Sequence, residues 1–191
     1  MKNIITLIIT LGSLIAQQKY DIEGERFMPL HTKFFWGENG LVRKLNLAPK
    51  SRKDELKLRV KMLQIHQRLA LASLGLVAYQ SNLGNQLANG DYSQLDKHKN
   101  FSRVSWSVYM ASATLSYLAP PALKYEKKVS SMKIHRWLSY VHFSGMVVIP
   151  FLGININSSP DYDKAVKLHQ NVAYITMFSL ALSGVLTILP Y

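Results

Sequence analysis

Cysteine is missing from all 191 residues of the chain. The protein can therefore form no disulfide, thiolate metal site or cysteine nucleophile, and thiol ligation of an iron–sulfur cluster is excluded. Glycine-rich phosphate-binding loops and paired-carboxylate active sites are missing too, and no internal repeat or low-complexity tract stands out. Acidic side chains are scarce, 11 against 23 lysines and arginines, which gives a net charge of +12. In a membrane protein such charge lies in loops and meets anionic lipid, so we expect no nucleic-acid partner.

The apolar residues are gathered into four segments that carry few charges. Each is about as long as the roughly 20 residues with which a helix crosses a bilayer. The segments, named A to D, are residues 62–80, 104–123, 134–154 and 166–189. Charged residues crowd instead into residues 43–61 and 124–136. This segregation predicts an all-α membrane protein, a four-helix transmembrane bundle with up-down-up-down topology.

A soluble four-helix bundle is the competing interpretation, and it requires a polar stripe along every helix. Segment D has no charged residue from Val172 to Leu189, and its polar members are tyrosine, threonine, serine and glycine. Membrane helices use such residues for close packing and interhelical hydrogen bonds. Segment D therefore favours the membrane interpretation, whereas segment A, which contains Arg68, supports it least.

The N-terminus adds a shorter apolar run, from Ile4 to Ala16. Its length is typical of a signal-peptide core, so residues 1–16 are predicted to be a signal peptide or a short signal anchor. Residues 17–60 then form a surface segment outside the cytoplasm, and residues 61–191 form the four-helix domain. We expect an integral membrane protein of a bacterial inner membrane. The positive-inside rule favours the opposite orientation, because the most basic loops lie on the same face as that segment.

Each apolar segment has a histidine at its start, namely His66, His98, His135 and His169. In an up-down-up-down bundle the starts of A and C lie on one membrane face and those of B and D on the other, so two histidines converge at each face. Two neutral imidazoles on opposite sides of a porphyrin hold a low-spin b haem, and an apolar bundle supplies the pocket. His142 lies two turns after His135 on nearly the same helix face, and this spacing does not choose between them.

These histidines also allow interpretations without haem. An isolated histidine at a helix end is commonly interfacial, with its polar tip in the headgroup region. A zinc or copper site made by His66 with His135, or a proton relay through all four residues, would also need them. Ionisable groups in membrane segments are rare and mark ion, proton or electron paths, and the placement of two at each face favours the haem interpretation.

The stretch "IHRWLSYVHF" resembles the helix signature of the cytochrome b561 family, in which a ligand histidine is followed two residues later by tryptophan and then by an apolar run ending in glycine. These residues are His135, Trp137, Leu138 and Gly153 here. The stretches "IHQRLALASLGLVAYQ" and "LHQNVAYITMFSLALSG" look like the first and last ligand helices of the family. The resemblance covers residues 60–190. It departs from the family in offering four helices rather than six, and in having serine where a glycine follows the signature tryptophan.

The resemblance implies a four-helix core that holds two b haems per chain, one near each membrane face. It also implies that electrons pass through them across the bilayer, which is oxidoreductase activity in the broad sense. The cofactor-binding residues carried over from the family are His66 with His135 for one haem, His98 with His169 for the other, and His142 and Trp137 beside them.

Electron donor and acceptor are not identified by the sequence; a small reductant, a quinone or a cytochrome would fit. Lys97, Lys99 and Arg103 are candidates for contacts with ascorbate, although ordinary loop charges account for them better. Two further functions stay open: a haem-free membrane scaffold with interfacial histidines, and a cytochrome b subunit of a quinol-linked enzyme. Besides the lipid bilayer, a second copy of the chain is the partner left open.

Overall fold

The computed structural model describes residues 25–125 and 129–187, and every regular element in these ranges is a helix. The all-α fold class is therefore confirmed for this part of the chain, and the predicted signal segment at residues 1–16 lies outside it. Short 3-10 turns occur at Glu25–Phe27, Tyr92–Gln94 and Ile156–Ser158. The α-helices are α1 (Leu30–Trp36), α2 (Leu41–Lys44), α3 (Arg52–Ala88), α4 (Leu95–Tyr117), α5 (Ser131–Asn155) and α6 (Tyr162–Leu186).

Local chemistry explains where the long helices begin and end. Helix α3 is closed by Gly90, whose φ of 93° places it in the left-handed region that glycine adopts without strain. The N–H of Asp91 then bonds to the oxygen of Gln86 at 2.9 Å, as in a Schellman cap. Helices α5 and α6 begin at the capping side chains of Ser130 and Asp161, which accept from the main-chain N–H three residues on.

The C-terminal end predicted for the helix in segment B is wrong. Helix α4 stops at Tyr117, whereas the apolar segment was expected to continue to residue 123. Pro120 and Pro121 follow, and proline both lacks the N–H that a helix needs and disfavours helical backbone in the residue before it. Length and apolarity alone therefore overestimate the helix here.

The chain divides into two compact units, and the first contains α1, α2 and the beginning of α3. Its described residues are 25–59 and 120–125. The division falls after Arg59, and the loop 120–125 groups with this first unit.

A buried ion cluster ties the first unit together. Glu55 is 2% exposed, and its carboxylate forms ion pairs with Arg43 at 2.6 Å and with Arg52 at 2.8 Å. Arg52 also donates to the main-chain oxygens of Pro121 at 3.0 Å and Ala122 at 2.8 Å. A buried carboxylate is tolerated only when it is paired in this way, so the cluster fixes the loop against the start of α3.

The second unit contains α3 from residue 60 onward together with α4, α5 and α6. Trp106 in the first half of α4 bonds to the main chain of Met146 in α5, and Tyr117 at the end of α4 bonds to Ser139 near the start of α5. These helices are therefore antiparallel. Contacts within the hairpins α3–α4 and α5–α6, given below, also run in opposite directions, so the helices follow the predicted up-down-up-down order.

Side-chain burial in the second unit places polar groups inside and many apolar groups outside. The large side chains of Trp137, Phe151, Ile154 and Phe178 are each at least 64% exposed. Extended exposed apolar surface marks contact with a membrane or a partner. The buried polar residues of this unit are small hydroxyl residues and one histidine: Ser73, Ser105, Ser112, His142, Thr176, Ser179 and Ser183.

One stretch of the described residues, Ser131–Ser158, is long and apolar enough to cross a membrane. Only 17% of its most apolar window is buried, whereas the core helix of a soluble protein would be mostly buried. The spans predicted from segments A, B and D stay predictions.

Candidate functional site

His66 is held by a single serine on the neighbouring helix. Its Nδ1 lies 3.0 Å from both the main-chain oxygen and the Oγ of Ser112 in α4. The Ser112 hydroxyl donates to the main-chain oxygen of His66 at 3.1 Å, so its oxygen is left to accept. Because both oxygens next to Nδ1 are then acceptors, this network assigns the imidazole proton to Nδ1 and leaves the lone pair on Nε2.

His135 has the same surroundings in the second hairpin. Its Nδ1 lies 3.0 Å from the main-chain oxygen of Ser183 in α6 and 2.7 Å from the Ser183 Oγ. That hydroxyl also approaches the main-chain oxygen of His135, at 3.5 Å. A histidine that binds a metal through one nitrogen typically donates its other N–H to such an oxygen, which fixes the tautomer and the ring orientation.

The remaining two histidines of the predicted pairs are His98 in α4 and His169 in α6, and their rings lie next to each other. Their ring centroids are 6.3 Å apart and the ring planes are inclined at 70°. Each ring packs against a glycine of the preceding helix: a Cβ added to Gly84 would lie 3.2 Å from His98 Cε1, and one added to Gly153 would lie 3.2 Å from His169 Cε1. Only glycine gives these rings their full space.

The two hairpins thus repeat one arrangement of contacts. Gly84 follows His66 by 18 residues, as Gly153 follows His135, and Ser112 follows His98 by 14 residues, as Ser183 follows His169. In each hairpin the histidine of the first helix meets the serine of the second, and the glycine of the first helix meets the histidine of the second. The predicted partners are therefore equivalent residues of the two hairpins.

The repeat is broken next to His98 and His169. The Nε2 of Gln80 lies 3.0 Å from the Nδ1 of His98 and donates to the main-chain oxygen of His98 at 3.0 Å. The corresponding residue of the second hairpin is Ile149, whose side chain cannot make such a bond. Nδ1 of His169 is buried, and it makes no hydrogen bond of ordinary geometry within the described residues. The main chain of Ile149 makes only a weaker polar interaction with it.

The separation of His98 and His169 fits two imidazoles that share one metal. Two metal–imidazole bonds of about 2 Å each account for most of the 6.3 Å between the ring centres, and about 1.1 Å on each side remains for the distance from ring centre to nitrogen. His66 and His135 occupy equivalent positions in the two hairpins, 18 residues before Gly84 and Gly153. No group of three or more histidine, aspartate or glutamate side chains among the described residues could hold a metal ion unaided.

His142 has a different environment from the four histidines above. It is 8% exposed, and its Nδ1 lies 2.5 Å from the hydroxyl of Tyr109 in α4. Its counterpart in the first hairpin is Ser73, whose hydroxyl bonds within its own helix to Leu69. His142 thus has no equivalent that would form a pair with it.

Trp137 and the basic residues near His98 lie on the surface. The side chain of Trp137 is 68% exposed. Lys97, Lys99 and Arg103 are exposed as well, but they lie in the first turns of α4 rather than in a loop.

The residues that hold the histidines were not predicted from the sequence, namely Ser112, Ser183, Gly84, Gly153 and Tyr109. The repeated spacings of 18 and 14 residues were a signal for four of them. Nothing in the sequence pointed to Tyr109.

Comparisons of the chain with protein-family models, curated proteins and solved structures give no match. The resemblance to the cytochrome b561 family therefore depends on the quoted residues and stays a prediction.

Proposed function

We propose that this protein is a membrane electron carrier that holds two b haems, one between His66 and His135 and the other between His98 and His169. The observation that carries the proposal is the approach of the His98 and His169 rings, from two different helices, to 6.3 Å between their centres, a separation at which one nitrogen of each ring could bind the same metal. A haem with two imidazole ligands supplies one-electron transfer.

The protein's own residues orient the ligands. Ser112 and Ser183 fix the proton of His66 and His135 on Nδ1, which presents Nε2 as the free nitrogen. Gly84 and Gly153 allow His98 and His169 to lie close against the preceding helix. Hydrogen bonds would thus orient the ligand histidines at one end of the unit, and mainly close packing would position them at the other end.

His135 is preferred over His142 as the ligand on α5. His135 has the same serine contacts as His66, its equivalent in the other hairpin. His142 has no histidine equivalent in the other hairpin, where Ser73 occupies its position. We therefore assign His142 a place beside the cofactor rather than on the metal.

The membrane location is part of the proposal. It is supported by the exposed apolar side chains of α5 and α6, by the buried serine and threonine residues of α6, and by the span candidate Ser131–Ser158. With four spans, the starts of α3 and α5 lie on one face, and we place residues 17–60 outside the cytoplasm. Alkaline phosphatase fused after residue 126 should then be active, whereas an inactive fusion contradicts this orientation.

The first experiment is a reduced-minus-oxidised visible spectrum of the purified full-length protein, together with a pyridine haemochrome assay. We expect a sharp low-spin band and close to two b haems per chain. A haem-free scaffold would show neither. One haem per chain would mean that only one pair binds, and the spectra of His66→Ala and His98→Ala would show which one.

The second experiment tests transfer across the membrane. Liposomes that contain the protein and trapped ferricyanide are treated outside with an impermeant reductant. The wild type should reduce the trapped acceptor faster than His66→Ala or His98→Ala. Equal rates would contradict the carrier function even if both haems are present.

A further inference from the structure

The contact surface between α4 and α5, called the α4–α5 seam, is held by polar bonds at three levels. Trp106 Nε1 donates to the main-chain oxygen of Met146 at 3.0 Å. One turn further along α4, the hydroxyl of Tyr109 lies 2.5 Å from Nδ1 of His142. The hydroxyl of Tyr117 lies 3.4 Å from Oγ of Ser139 near the end of the helix, which is the third level.

The contact surface between α3 and α6, called the α3–α6 seam, is the corresponding surface in the repeat, but it is mostly apolar. The α6 residues that correspond to Trp106 and Tyr109 are Met177 and Leu180, which have no N–H or O–H to donate. On the α3 side, the hydroxyl of Ser73 bonds within its own helix.

Two contacts across the α3–α6 seam show how this surface is held. A Cβ added to Gly184 would lie 4.0 Å from Leu74, which is an ordinary van der Waals contact. The hydroxyl of Tyr174 bonds to Asn85 at an exposed position. Water or headgroups can replace an exposed hydrogen bond, so it opposes separation of the helices less than a buried one does.

Chain connectivity reinforces this difference. Helices α3 and α4 are joined by a short turn, and so are α5 and α6, whereas α3 and α6 are the first and last helices of the unit. The histidines of each predicted pair lie on alternate helices, α3 with α5 and α4 with α6. A flat group that reaches this position from the side of the bundle must therefore pass between two neighbouring helices.

We propose that the bundle opens along the α3–α6 seam to admit its flat prosthetic group, while the α4–α5 seam stays closed. This inference rests on the proposed function. Among the described residues no buried hydrogen bond joins α3 to α6, so separation of these two helices breaks none. The two helices are also not consecutive, so no loop of the unit joins them directly. Separation of α4 from α5 would leave the buried partners Tyr109 and His142 unpaired, which is costly in an apolar surrounding.

The chain's lack of cysteine allows a direct cross-linking test. The double variant Asn85→Cys with Tyr174→Cys places two thiols across the α3–α6 seam. Its matched control, Ser139→Cys with Tyr117→Cys, places two thiols across the α4–α5 seam. Each variant replaces one tyrosine and the short polar side chain that it contacts, so the same short bis-maleimide suits both.

Haem-free protein is prepared in nanodiscs, linked or treated with a monofunctional maleimide, and then mixed with haemin. Uptake is followed by the rise of the Soret absorbance. Linking the α3–α6 seam should slow uptake by about tenfold or more relative to the monofunctional control, because local opening of that seam is blocked. Linking the α4–α5 seam should leave the rate nearly unchanged. The double variant Leu74→Cys with Gly184→Cys repeats the α3–α6 test at a second level if the first variant does not fold.

Equal slowing by both links, or stronger slowing by the α4–α5 link, would overturn this inference and leave the proposed function intact. Failure of the unmodified wild type to take up haemin at all would overturn the proposed function and this inference with it. The two failures are therefore distinguishable in one set of measurements.

Discussion

The two histidine pairs are held in different ways, although the hairpins that supply them are alike. His66 and His135 are oriented by the hydrogen bonds that they donate to Ser112 and Ser183. His98 and His169 lie against bare glycine backbone, with rings 6.3 Å apart, and the amide of Gln80 adds a hydrogen bond at Nδ1 of His98 that His169 lacks among the described residues. Hydrogen bonds fix a tautomer, whereas close packing fixes only a position. The first pair should therefore respond to loss of a hydroxyl, and the second to a gain of volume.

The strongest test of this comparison removes the ligands one at a time. His66→Ala and His135→Ala should each abolish the same haem, and His98→Ala and His169→Ala the other, because one imidazole cannot complete a low-spin site. Haemochrome assays should find about one haem per chain in each variant, with only two distinct residual spectra among the four. Four different residual spectra would contradict the pairing.

Added volume at the glycines should act on the second pair alone. Gly84→Ala places a Cβ 3.2 Å from His98, and Gly153→Ala does the same to His169, so each ring must move by a few tenths of an ångström. We expect a shifted potential for that haem with alanine, and loss of the haem with valine, whose branched side chain needs more space. Redox titration with optical detection measures both effects.

Gly75→Ala is the matched control for the glycine variants, because nothing lies within 4 Å of the added atom. It should leave both haems unchanged and stabilise α3 by about 0.5–1 kcal/mol, the usual gain of alanine over glycine within a helix. An equal effect of Gly75→Ala and Gly84→Ala on the spectrum would show that the contact with His98 has no role.

Sequence reasoning reached the helical class and the helix order from the apolar segments. The pairing of the four histidines and the place of Trp137 beside a cofactor stay predictions; the Trp137 side chain is 68% exposed. It overestimated segment B because the pair Pro120 and Pro121 overrides apolar length. Serine and glycine are common in membrane helices for packing reasons alone, so the roles of Ser112 and Gly84 became visible only when the partner helix was in place.

A substitution of His142 should change the haem of the first pair more than the haem of the second, without removing a ligand. His142→Ser installs the residue that the other hairpin has at this position, Ser73, and breaks the bond to Tyr109. Both haems should stay bound, and the potential of the His66/His135 haem should shift more than that of the other, as for a change beside a metal ligand. Tyr109→Phe should give a smaller shift of the same haem. Loss of a haem in His142→Ser would show that His142 is the ligand.

Loss of the serine hydroxyls should have a smaller effect, again confined to the first pair. Ser112→Ala removes one of the two acceptors for His66 Nδ1, and Ser183→Ala does the same for His135, while the main-chain oxygens remain. Each should cost about 0.5–1.5 kcal/mol of stability and broaden the His66/His135 haem signal. Ser105→Ala, which deletes an equally buried hydroxyl bonded within its own helix, is the control and should leave that signal sharp.

The smallest expected effect concerns Asp91, in the turn that leads into α4 and His98. Its carboxylate accepts from the Ser93 N–H at 3.2 Å, and the Ser93 hydroxyl, followed by the Gln94 amide, holds the pKa of Asp91 below its usual value. Because the folded-state pKa is the lower one, the turn is stabilised at neutral pH, and this stabilisation is lost as the pH falls through the folded pKa. Asp91→Asn should therefore lower the thermal midpoint slightly at neutral pH, and the difference from wild type should shrink on acidification. A difference that is the same at every pH would show that the carboxylate charge has no role, and that the amide fails for steric reasons only.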